Sequence, residues 1–175
     1  ALISVFPGSR SSEINVLMPI LLNFIKLMNN NYQDFIYIFH STRENLNLIK
    51  NYLESKSIKN YEIISDEKIK SHTLKKSIFA VTKSGTVSLE VCKLKIPSII
   101  LYKMNILNYL IVRMLIKVKF ANIINIAADE EVIPELLQSK CNAKNIFKNV
   151  SFFINNPEKM KEQINKTQLI LDKLK

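Results

Sequence analysis

Short apolar runs alternate with longer amphipathic stretches along most of this chain. The runs at 2–6, 35–39, 61–64, 78–81 and 98–101 read as strands, each apolar on nearly every position, the pattern of strands covered on both faces. Between them, 12–28, 42–56, 66–76 and 86–94 carry apolar residues at helical spacing. Ile14, Leu17, Leu21, Ile25 and Met28 mark the first helix; Leu46, Ile49, Tyr52 and Leu53 mark the second. Strand and helix alternate through five strands with turns of a few residues, which predicts a Rossmann-like α/β domain. Its parallel sheet has helices on both faces and strand order 3-2-1-4-5. The remainder predicts helices at about 106–118, 132–140, 143–155 and 157–174.

Composition agrees with one globular domain spanning 1–175. The chain is 47% hydrophobic and has a mean hydropathy of +0.06. It begins at Ala1, directly on a strand-like run, which we read as a piece of a longer protein cut near a domain boundary. No signal-peptide pattern opens it, and no uncharged apolar run reaches the roughly 18 residues of a membrane span. The net charge of +10 admits anionic partners. Lys, Ile and Asn are abundant together, however, and the aromatics are not interleaved with the cations as a base-stacking groove requires, so we expect no nucleic acid. Cys92 and Cys141 are far apart and read as buried free thiols. His40 and His72 have no ligand partner at helical spacing, so no metal or other cofactor is expected.

In open parallel sheets, ligands bind beyond the carboxyl ends of the strands, where the strand order reverses. Strands one and four flank that point, and their loops hold the only two glycines of the chain, Gly8 and Gly85. A glycine turn leading into a helix exposes unpaired N–H groups at the positive end of the dipole, and two such turns facing one crevice make a phosphate site. Ser9, Ser84 and Thr86 add donors, and Arg10 adds a planar, permanent cation. Glu90 lies one turn after Thr86, on the same helix face, where a carboxylate accepts from a ribose diol. The other reading leaves both glycines as tight turns, Arg10 in solvent and Glu90 complementing the helix dipole.

The stretches "FPGSRSSEI", "KSGTVSLEV" and "PELLQ", in this order and separation, with "YKMN" after the fifth strand, resemble the C-terminal half of lipid-A-disaccharide synthase, a GT-B glycosyltransferase. The resemblance covers essentially the whole chain. It implies a donor-binding half, inactive alone, of an inverting, metal-independent enzyme. That enzyme moves 2,3-diacylglucosamine from UDP-2,3-diacylglucosamine to 2,3-diacylglucosamine 1-phosphate in lipid A synthesis. The acceptor site and the catalytic carboxylate would lie in the other half. Arg10 would hold the diphosphate and stabilise the leaving UDP; Gly8, Ser9, Ser84, Gly85 and Thr86 would contact phosphate; Glu90 would bind ribose. Asn125 matches a family Asn near the diphosphate or sugar, although Ile124 stands where the family has Pro. Glu135 and Gln138 fall in "PELLQ" as nucleotide-binding candidates, their alternative being helix-start polarity. Uracil would be read near 65–69. The apolar-basic segment 104–120, with Arg113, Lys117 and Lys119, reads either as a core helix or as a membrane-surface patch. The second reading puts the protein on the cytoplasmic face of a Gram-negative inner membrane. Three other functions remain open: a phosphate- or nucleotide-binding module without catalysis, another UDP-sugar glycosyltransferase of the GT-B fold, and a cationic membrane-surface module.

Overall fold

The computed structural model describes residues 1–83, 85–104, 106–115 and 119–175. The expected alternation is present: β1 (Leu2–Val5), α1 (Ser11–Asn31), β2 (Ile36–His40), α2 (Leu46–Ser55), β3 (Tyr61–Ile64), α3 (Glu67–Lys75), β4 (Phe79–Lys83), α4 (Thr86–Lys93) and β5 (Ser98–Tyr102). There follow α5 (Ile106–Leu115), α6 (Ile123–Ala128), β6 (Glu135–Leu137), a single 3-10 turn (Gln138–Lys140), α7 (Ala143–Asn155) and α8 (Pro157–Lys173). The sheet is parallel in every pairing, and its order is β3-β2-β1-β4-β5-β6. The sequence order 3-2-1-4-5 therefore holds, with one strand added at the β5 edge.

Alternation along each strand divides the core. Phe79, Val81, Ile99 and Leu101 point to the face covered by α1, α2 and α7, among Ile14, Leu21, Phe24, Leu53 and Val150. Ala80 and Ile100 point to the opposite face, where α3, α4, α6 and α8 bring Leu74, Val91, Ile124 and Ile170. Helix α1 runs through Pro19 for 21 residues and is apolar enough to cross a membrane by length and composition. Its buried stripe, from Ile14 to Met28, packs into this core instead. Cys92 and Cys141 are buried free thiols, and burial raises their pKa to about 12 and about 11.

One expected element is replaced. The segment 132–140, expected to be a helix, forms β6 and the 3-10 turn, and α6 precedes it where no helix was expected. Val132, Ile133 and Leu136 fit a helical period as readily as a short buried strand. The open edge of β5 decides: the amide of Ile100 donates to the Pro134 carbonyl at 2.9 Å, and Leu101 registers with Leu136. Gln138 then turns the chain with φ 52°.

Candidate functional site

Beyond the carboxyl ends of β1, β2 and β4 lies a cavity of about 340 Å³. Its floor is Phe6 and His40, α3 contributes Glu67, Lys70 and Leu74, and α4 contributes Val87 and Glu90. The mouth holds both glycine turns, with Gly8 and Ser9 on one side and Gly85 and Thr86 on the other.

Both glycines adopt backbone that other residues rarely take, φ 118° at Gly8 and 128° at Gly85. They differ in surroundings. A Cβ on Gly8 would sit 2.9 Å from Cβ of Glu13, whereas a Cβ on Gly85 would meet nothing within 4 Å. The first turn is further fixed by Asn45, whose amide donates to the Ser9 carbonyl at 2.8 Å. Helix α1 starts after Arg10 and α4 starts after Gly85, and neither has a side-chain cap. Helices α3, α6 and α7, by contrast, start on Asp66, Asn122 and Asn142, whose side chains accept from first-turn amides. The two helix ends at the cavity mouth thus present amide donors that no capping side chain among the described residues has taken.

Of the residues singled out in the sequence, Gly8, Ser9, Gly85, Thr86 and Glu90 line this cavity. Ser84 lies outside the described residues. Arg10 is exposed beside the mouth, and its charge reaches Lys83. The other three lie away from the cavity lining. Asn125 is fully buried: its amide donates to the Ile133 carbonyl at 2.7 Å, and its carbonyl accepts from the Ile133 amide at 2.9 Å. The Glu135 carboxylate accepts from the amides of Ala121 (3.0 Å) and Asn122 (2.6 Å). Gln138 brackets Met104, accepting from its amide at 2.8 Å and donating to its carbonyl at 3.1 Å. None of the three lines the cavity. Their polar atoms hold the β5–β6 side of the chain together, and the helix-start role considered for Glu135 and Gln138 goes with the helix that β6 replaces.

Glu67, within the stretch 65–69 expected to read uracil, lines the cavity, as do Lys83, Lys70 and His40, which the sequence did not single out as lining residues. Lys83 pairs with Glu13, in the first turn of α1, and its pKa is lowered by burial and then by Arg10. Lys70 pairs with Glu67 at 3.1 Å. His40 ends β2, stacks on Phe6 with ring centroids 4.2 Å apart, and is 5% exposed. A hydrogen-bond chain sets its tautomer. Ser77 Oγ donates to the Thr73 carbonyl at 3.2 Å, so Ser4 Oγ must donate to Ser77 Oγ at 2.6 Å. Ser4 is then left to accept from His40 Nε2–H at 2.9 Å. Nδ1 is the bare acceptor and finds no partner among the described residues. Burial, and next Lys70, lower the His40 pKa to about 4, so the ring is neutral at pH 7. The signal for His40 was present in the sequence, since it stands at the carboxyl end of the strand beside β1. Among the described residues no three His, Cys, Asp or Glu side chains come together.

The model of the lipid-A-disaccharide synthetase family matches residues 1–175. The chain belongs to this family. A family relative, the lipid-A-disaccharide synthase of Rickettsia prowazekii (strain Madrid E), is 34% identical over 170 residues, covering 95% of this chain and 43% of that protein. The chain thus spans less than half the length of that synthase. Solved structures share the fold. The C-terminal domain of a group 1 glycosyl transferase (LpcC) from Francisella tularensis superposes with TM-score 0.63 at 11% identity, covering 98% of this chain and 84% of that one. The S. aureus MnaA–UDP co-structure gives 0.65 at 14% identity, covering 95% and 40%. The fold of this family member is accordingly a GT-B-like α/β domain.

Proposed function

We propose that this chain is the donor-binding half of a lipid-A-disaccharide synthase and that the cavity holds the UDP of UDP-2,3-diacylglucosamine. The observation that carries this reading is the convergence of two uncapped glycine turns, on β1–α1 and β4–α4, at one cavity mouth. The amides of the two turns and the Thr86 hydroxyl bind the diphosphate, and Glu90, one turn along α4, accepts from the ribose hydroxyls. The base enters toward α3, where Glu67 and Lys70 line the wall. A UDP co-structure from S. aureus with the same fold supports a uridine nucleotide as the ligand class.

In the transfer, the C1–oxygen bond to UDP breaks as a hydroxyl of 2,3-diacylglucosamine 1-phosphate attacks C1 from the opposite face. Negative charge gathers on the departing diphosphate. The two helix ends face that charge without reorganisation as it develops, and Arg10, exposed beside the mouth, adds a cation that swings onto the diphosphate; both lower the barrier. The hydroxyl proton goes to a carboxylate that we assign to the part of the enzyme outside this chain. The chain alone therefore binds the donor without turning it over.

The same reading places the protein on the cytoplasmic face of the inner membrane, with α5 against the lipid. Leu107, Leu110, Ile111 and Met114 are exposed on this helix, and Lys103 and Lys119 are exposed on either side of it. Apolar side chains beside cations fit an anionic interface. Lys117 and the side chain of Arg113 lie outside the described part.

Calorimetric titration of the chain with UDP tests the reading. We expect micromolar to millimolar binding, weakened by Arg10→Ala and by Glu90→Ala. Absence of binding by the folded wild-type chain contradicts it.

A further inference from the structure

Lys83 is the last residue of β4 and lines the cavity between the two glycine turns. Its ammonium reaches across to Glu13 on the first turn of α1. Glu13 in turn lies against Gly8, close enough that no Cβ fits there without displacement. One ion pair therefore connects the turn before α1 to the turn before α4.

That pair is poorly placed for stability alone. Both side chains are 27% exposed, so solvent screens part of their attraction. Lys83 also pays in lost hydration and in repulsion from Arg10, the two causes that lower its pKa. Arg10 acts on Lys83 as a second cation, so the single Glu13 carboxylate does not balance the two positive charges beside it. A diphosphate carries more charge than one carboxylate and also satisfies the uncapped helix ends, so it is the stronger partner for the ammonium. The long lysine stem lets the ammonium change partners without moving the backbone.

We propose that Lys83 is a phosphate ligand of this site, paired with Glu13 while the site is empty and transferred to the diphosphate when the nucleotide binds. Glu13 is then a positioning residue: it keeps the ammonium inside the cavity and competes with the ligand for it. The inference rests on the nucleoside-diphosphate reading above and adds to it a cation and a competing carboxylate.

The test is titration of the chain with UDP and with uridine, with folding of each variant checked by circular dichroism. Lys83→Met weakens UDP about tenfold or more, the scale of a charge-assisted hydrogen bond, and leaves uridine unchanged. Lys83→Arg retains most of the UDP affinity. Glu13→Gln releases Lys83 and removes a competing negative charge, so it tightens UDP about two- to fivefold, and the gain disappears in the Glu13→Gln/Lys83→Met double variant. If Lys83→Met binds UDP as the wild type does, this inference is overturned and the nucleotide reading stands. If both single variants weaken UDP and uridine alike, the pair is scaffold and the inference is again overturned. A wild-type chain that takes neither UDP nor uridine overturns the nucleotide reading and this inference with it.

Discussion

The two sides of the sheet's carboxyl edge use similar residues in opposite ways. On the β1–β4 side, among the described residues, the turns leave helix amides uncapped, His40 Nδ1 without a partner, and Lys83, Lys70, Glu67 and Glu90 around one cavity. On the β5–β6 side, Asn125, Glu135 and Gln138 spend their polar atoms on the backbone of Ile133, Ala121, Asn122 and Met104. A side chain with its hydrogen-bonding capacity already used stabilises the fold; one facing a cavity with capacity to spare is available to a ligand. Residue type alone does not separate the two cases.

The largest expected effect is at the cavity mouth. Arg10→Ala in the whole enzyme should lower turnover about a hundredfold or more, the scale of removing a group that stabilises developing charge. Unchanged turnover would leave Arg10 as a surface residue. Across the sheet, Asn125→Ala should cost about 2–3 kcal/mol of stability in urea unfolding, because it orphans the buried amide and carbonyl of Ile133. UDP affinity of the folded variant should not change; a selective loss of UDP binding would move Asn125 to the other side of the comparison.

His40 gives the cavity side an acid sensitivity of similar size. Its folded pKa, about 4, lies below the ordinary histidine value of 6.5, so the unfolded chain binds the extra proton between these values. Stability is therefore full above about pH 6.5 and falls as the pH drops toward 4, by about 2–3 kcal/mol. Denaturation midpoints at the two pH values read this loss, and His40→Gln should flatten the slope. The two glycines sharpen the contrast within the cavity side itself. Gly8→Ala meets both an unfavourable φ and the Glu13 side chain, so it should destabilise by about 1–2 kcal/mol, whereas Gly85→Ala meets only the φ penalty, about 1 kcal/mol. Equal melting shifts would remove the role given to Glu13 in the first turn. The smallest effect expected is for Glu90→Ala on an exposed helix face, about a three- to tenfold loss of UDP affinity with stability unchanged.

The first five strands were legible because each is a short apolar run bounded by turns, and their alternation with helices leaves few arrangements. The glycine turns were legible because glycine is scarce here and the switch-point rule says where to look. β6 was not, because three residues carry no period of their own and the strand exists through the edge of β5. Lys83 and Glu13 stand 70 positions apart, and only the packing of α1 beside β4 makes them a pair. "PELLQ" marked the right family, but its Glu and Gln serve the backbone, a use visible only once Ala121, Asn122 and Met104 are placed beside them.

The claim beneath all of this is that the crevice between the two glycine turns, and not the β5–β6 side, receives a nucleoside diphosphate. Backbone amide chemical shifts of the chain, followed through a UDP titration, test it position by position. The account predicts saturable shifts at Gly8, Ser9, Gly85 and Thr86 and none at Asn125, Glu135 or Gln138. Shifts confined to the second group, or no shift at either glycine at saturating UDP, would contradict it.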